Sequence, residues 1–138
     1  MNDLSLIFQD MASSTVIKLV IILTVSDAIF GILRAGKERK LNSTLEINGI
    51  ITKVSIIISV LSLYFIDIVI NVNVTNLVPD IIVSYLHLPE IGLAEFFGIV
   101  LSLFELTSIM NNLHCIGLPI PKKLNEKVKS ILKSITDD

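Results

Sequence analysis

"GIITKVSIIISVLSLYFIDIVI", residues Gly49–Ile70, is the run whose reading decides the fold. At about 1.5 Å of rise per residue, a helix of this length crosses the roughly 30 Å hydrocarbon layer of a bilayer. Two further stretches, Val16 to Leu33 and Ile91 to Met110, are of the same kind. A soluble bundle also contains apolar helices, but its outer faces need far more charge than these stretches hold. The 138-residue chain is 52% hydrophobic and has a mean hydropathy of +0.79, which suits a membrane better than water. The expectation is an all-α integral membrane protein, a single membrane domain over residues 1–138 with three transmembrane helices at 16–33, 49–70 and 91–110. A short interfacial helix and an amphipathic C-terminal helix complete it.

Charge gives the orientation. Apart from Lys18, the basic residues fall into two groups. Arg34, Lys37, Arg39, Lys40 and Lys53 surround the first connection, and Lys122, Lys123, Lys127, Lys129 and Lys133 lie in the tail, residues 117–138. Basic residues near span ends stay on the cytoplasmic side. Both groups are therefore expected inside, which places the N-terminus and the second connection outside, where Asp3, Asp10, Asp80 and Glu90 sit. The first span lacks a basic segment ahead of it and is expected to be retained rather than cleaved. In the second connection, Pro79 can open a short helix reaching about His87, too short to span. Gly117 suits a helix C-cap, and Pro119 and Pro121 suit a sharp exit from the third span.

Ionisable groups inside the spans bear on function, because an ionised carboxylate at a helix centre costs about 2.5–3.5 kcal/mol on insertion scales. Such groups must face protein or water, or take up a proton. Steps of three and four put Thr24, Asp27, Gly31 and Ala35 on one face of the first span. Ser55, Ser59 and Ser62, with Asp67 near the outer end, mark the second. Glu95, Gly98, Ser102, Glu105 and Asn112 follow the same drift in the third. Stripes of this kind pack helix on helix within a protomer, or they line an oligomer interface or a pore. Three helices have little interior, which favours self-association. In the tail, Leu124, Val128, Ile131 and Ile135 share a face opposite the lysines, so this helix can lie on an anionic leaflet or pack on its neighbours.

The chain has no phosphate-binding loop, zinc-protease helix or nucleophile elbow. Asp27 and Asp67 lie at different depths and form no catalytic pair. Cys115 is the single cysteine, and with His114 it offers too few ligands for a metal. No enzyme activity, cofactor, metal or nucleic-acid partner is expected.

Two runs carry a family likeness. "DAIFGILRAGKERKLNS" (Asp27–Ser43) with "NGIITKV" (Asn48–Val54), and "ELTSIMNNLHCIGLPIPKKL" (Glu105–Leu124), resemble the signatures of a phage holin family. Together they span most of the chain, and the likeness is greatest to clostridial holin-like proteins associated with secretion of large toxins. Asp27, Gly31, Ser43, Gly49, Glu105, Ser108, Asn112, Gly117, Pro119 and Pro121 fit the pattern, whereas Asn111 stands where many relatives have Glu. The resemblance implies a small protein of the bacterial cytoplasmic membrane that oligomerises into lesions and releases an endolysin or toxin lacking a signal peptide. Two rival readings share the same composition: a small channel or transporter subunit, and a membrane adaptor that permeabilises nothing.

Overall fold

A computed structural model describes residues 2–136, and every regular element among them is helical. Helix α1 (Asn2–Ser13) leads through Ser14 into α2 (Thr15–Lys37). The Ser14 hydroxyl accepts the Ile17 N–H at 3.4 Å, supplying one of the acceptors a helix start lacks. Helix α3 (Ser43–Ile70) is capped in the same way by Asn42, which accepts the Thr44 N–H at 3.0 Å, and it ends at Asn71 in the left-handed region. A three-ten turn (Thr75–Leu77) and α4 (Asp80–Leu86) form the second connection. Helix α5 (Leu93–Ile116) closes at Gly117, φ 107°, and α6 (Lys122–Thr136) follows. The short helix after Pro79 and the cap at Gly117 stand where their sequence signals place them.

Helices α2, α3 and α5 are each long and apolar enough to cross a membrane. Helix α2 runs on to Lys37 and α5 to Ile116, past the expected apolar windows, α5 starts at Leu93 rather than Ile91, and the window from Gly49 begins inside a helix that already starts at Ser43. The short connection after α2 makes α3 antiparallel to it, and α5 runs parallel to α2, with which it makes the most extensive helix contact. Outward faces carry Ile22, Val25, Ile29 and Ile32 on α2, Ile51, Val54, Ile58 and Phe65 on α3, and Phe97 and Phe104 on α5, all exposed. That is the distribution expected where lipid is the solvent.

The interior divides into two halves. At the end where α5 begins, Val16, Ile17, Val20, Val60, Val78, Ile91 and Ile99 form a close-packed apolar core. The second connection folds onto this end: the Val74 N–H donates to the Ile91 carbonyl at 2.7 Å, and the Ile91 N–H to Thr75 Oγ1 at 3.0 Å. Helix α1, for which the sequence reading had no element, is fastened here by the Tyr64 hydroxyl donating to Asp10 and by an edge-on contact of Phe8 with Phe65. The other half, toward the α2–α3 connection, is polar. Helix α6 folds back along α5 with Val128 buried, and its five lysines are exposed.

Candidate functional site

The polar half is built on the two stripes of α2 and α5. Asp27 and Glu105 are 4% exposed, and Thr24, Ser102 and Asn112 are buried with them. The counter-charge comes from α3. Lys53 Nζ donates to Glu105 Oε2 at 2.6 Å and also to Asp27 Oδ2. Asn112 Nδ2 donates to Asp27 Oδ1 at 3.0 Å. Arg34 then continues the chain: its Nη1 donates to Asn112 Oδ1 at 3.4 Å and its Nε to Glu38 Oε1 at 3.0 Å. A connected polar path thus runs from Glu38, at the end of α2, to Glu105. Asp27 lies about 15 Å from the end of its helix, and Lys53 and Glu105 lie comparably far inside theirs, so the three meet near mid-membrane.

This arrangement answers the cost of the acids. Asp27 has the Lys53 ammonium and the Asn112 amide, and Glu105 shares the same ammonium, so both acids find a partner within their own protomer. The sequence reading left packing within the protomer open beside self-association, and the geometry supplies contacts of the first kind for Asp27 and Glu105. It also missed Lys53, which grouped with the surface basics of the first connection. Because α3 starts at Ser43, Lys53 sits well inside the helix, on the face that carries Ile56, Val60 and Tyr64 inward. Steps of three and four from Lys53 along α3 would have exposed that face as a rival to the serine stripe.

Other candidates divide by location. Ser55, Ser59 and Ser62 point away from the bundle. The hydroxyls of Ser55 and Ser59 bond back to the carbonyls of Ile51 and Ser55. Gly31 and Ala35 flank the cluster beside Asn112. Lys37 donates to the Ile116 carbonyl and so ties α2 to the C-terminus of α5, where a cation also suits the helix dipole. Arg39 and Lys40 are exposed in the connection.

Asp67 and Glu95 are not in the cluster; they hold the start of α5. Asp67 accepts the N–H groups of Leu93 and Ala94 at 2.9 and 2.7 Å, and Glu95 accepts the Gly92 N–H at 3.0 Å. Glu three residues into a helix is a known start signal that could have found this role. Replacing Asp67 by Ala is expected to lower stability in mixed micelles by about 1–2 kcal/mol, as loss of a cap does. Asp67→Asn, which keeps an acceptor, should cost less. Permeabilisation lost at unchanged stability would instead return Asp67 to a pore-lining role.

Three apolar helices around a buried ion cluster, with no group of three or more His, Cys, Asp or Glu placed to hold a metal among the described residues, define a small multi-span membrane protein. Its sequence matches the bacteriophage holin family over residues 11–133, which takes in the bundle and most of α6, and the chain belongs to that family. It is 39% identical over 122 residues to the Holin-like protein TcdE of Clostridioides difficile, covering 88% of this chain and 74% of that relative. No solved structure matches it. The protein is accordingly a holin-like membrane protein, of a family that permeabilises membranes and is not enzymatic.

Proposed function

We propose that the protein assembles as a homo-oligomer in the bacterial cytoplasmic membrane and opens a lesion through which a toxin or endolysin without a signal peptide leaves the cell. The observation that carries this reading, beyond membership of the family, is the outward serine stripe of α3. Only 11% of the most apolar window of that helix is buried in the protomer. Small hydroxyl side chains along a lipid-facing helix favour close helix contact between protomers, so Ser55, Ser59 and Ser62 form the interface. The Asp27–Lys53–Glu105 cluster is the polar surface that the opened bundle turns toward the lesion. Charge there feels the membrane potential, worth about 2.3 kcal/mol per elementary charge per 100 mV. The N-terminus is outside, and the basic connection and tail are inside.

Expression of the chain alone in a bacterium tests the reading. Growth arrest, collapse of the potential and release of a folded reporter protein are expected. Release of ions alone would make the protein a small channel, and harmless accumulation would make it an adaptor. Glu105→Gln leaves a balanced Asp27–Lys53 pair and is expected to change the onset of permeabilisation at equal membrane level. Unchanged onset would remove Glu105 from the switch.

A further inference from the structure

A groove of about 300 Å³ lies between the second half of α2 and the first half of α3, with Asp27, Lys53 and Asn112 among its lining residues. Gly31, Ala35 and Gly49 leave it open, and Lys40, Asn42 and Glu46 also line it, toward the α2–α3 connection. We propose that this groove is a hydrated half-channel, filled with water from the side of the α2–α3 connection and closed toward the opposite side.

Three observations meet in it. Its volume is enough for several waters at about 30 Å³ each, and although Ile32, Leu45 and Ile50 make much of its wall apolar, Asp27, Lys53 and Asn112 at its inner end present charged and amide groups that water serves and an acyl chain does not. Beyond the cluster, Thr24 Oγ1 and Ser102 Oγ are buried and make no hydrogen bond to protein. Thr24 stands one turn beyond Asp27 and Ser102 one turn beyond Glu105, so these hydroxyls are the next polar partners for water that has reached the carboxyl groups. One more turn along α5 the polar character ends. Gly98 admits Val16 and Val20 against α5, and Val60 of α3 packs beside them, each of the three valines at most 1% exposed. Water that reaches the cluster has no polar step past these valines. The cluster therefore exchanges water and protons with one side of the membrane only, a property of the closed protomer that does not depend on lesion formation.

Thiol accessibility tests this in the full chain with Cys115→Ser as background. Right-side-out and inverted bacterial membrane vesicles that retain an encapsulated dye keep a charged, membrane-impermeant thiol reagent on its own side. Lys40→Cys marks the side of the α2–α3 connection, and Asn76→Cys marks the other. Gly31→Cys in the groove is expected to react from the Lys40 side, about tenfold or more faster than Ile29→Cys at similar depth on the lipid face, since the thiolate that reacts forms in water. Val20→Cys should react from neither side. Ala28→Cys, a second groove position, repeats the reading if Gly31→Cys does not fold. Equal rates at the groove and lipid positions would show hydrocarbon in the groove and overturn the proposal, as would entry from the Asn76 side or reaction at Val20→Cys.

Discussion

Lys53→Met is expected to destabilise the protein by about 3–5 kcal/mol, the usual cost of removing one partner from a buried ion pair. The Lys53 side chain is 20% exposed, while those of Asp27 and Glu105 are 5% and 6% exposed. Removal of the ammonium therefore leaves two carboxyl groups facing each other near mid-membrane with no cation between them. Methionine keeps the length and the apolar contacts of the stem, so the loss reports charge and not volume. Unfolding in mixed detergent micelles and the amount of protein accumulated in membranes both read the effect. The three substitutions Asp27→Asn, Lys53→Met and Glu105→Gln made together should recover most of it, because neutral replacement of a whole buried ionic cluster is commonly near neutral. The single variants should rank Lys53→Met, then Asp27→Asn, then Glu105→Gln. Asp27 serves both Lys53 and Asn112, and loss of Glu105 alone leaves one cation with one anion. A cost below about 1 kcal/mol for Lys53→Met would show that the two carboxyl groups do not depend on the ammonium, the ion pairs being worth no more than exposed ones.

That ranking could not have been written from the sequence, although most of its members could. The spans follow from apolar length, and the stripe positions Asp27, Glu105 and Asn112 follow from helical spacing. A stripe does not say what it faces. In water the apolar face of a helix is the buried one, but in lipid both the buried and the outward faces are apolar, so the serine stripe of α3 and the true inward face through Lys53 and Val60 compete on equal terms. Burial of Val60, 1% exposed, against exposure of Ser55, Ser59 and Ser62 decides between them. Lys53 was hidden by its neighbours in sequence, since a basic residue near a basic connection is also what the positive-inside tendency produces. Asp67 was hidden differently: the N–H groups it accepts are on another helix, and no local pattern announces a cap supplied from elsewhere in the chain. Helix α1 lies outside the apolar windows, and its attachment depends on Tyr64 and Phe65 across the bundle.

The two halves of the interior carry different energies. Around the cluster, stability is electrostatic and directional, and substitutions act through charge. Around Val16, Val20 and Val60 it comes from contact alone, because apolar burial between helices gains little in lipid and close packing has to supply the attraction. A lesion-forming protein can lose the second kind of contact in small steps, whereas the first is lost as a unit. The apolar end is for that reason the place where a modest change in shape should have the largest effect on opening.

Gly98→Ala makes that change with one methyl group. A Cβ at Gly98 would lie 2.5 Å from Val16 Cγ1 and 3.3 Å from Val20 Cγ2. Val16 is 0% exposed and, being β-branched, is stiff at χ1, so the clash is relieved by a shift of α2 against α5. Overpacking of this kind costs about 1–3 kcal/mol, and the expected result is a lower unfolding midpoint in micelles together with earlier permeabilisation in cells. Val16→Ala alone opens a void and also destabilises. Combined with Gly98→Ala it makes room for the new methyl group, so the double variant should be more stable than the sum of the two losses implies, by about 0.5–3 kcal/mol as for residues in contact. The onset of permeabilisation should move back toward that of the unaltered protein in the same variant. Additive losses would mean that Gly98 and Val16 do not touch in the membrane, and the seal over the cluster would then have to lie elsewhere.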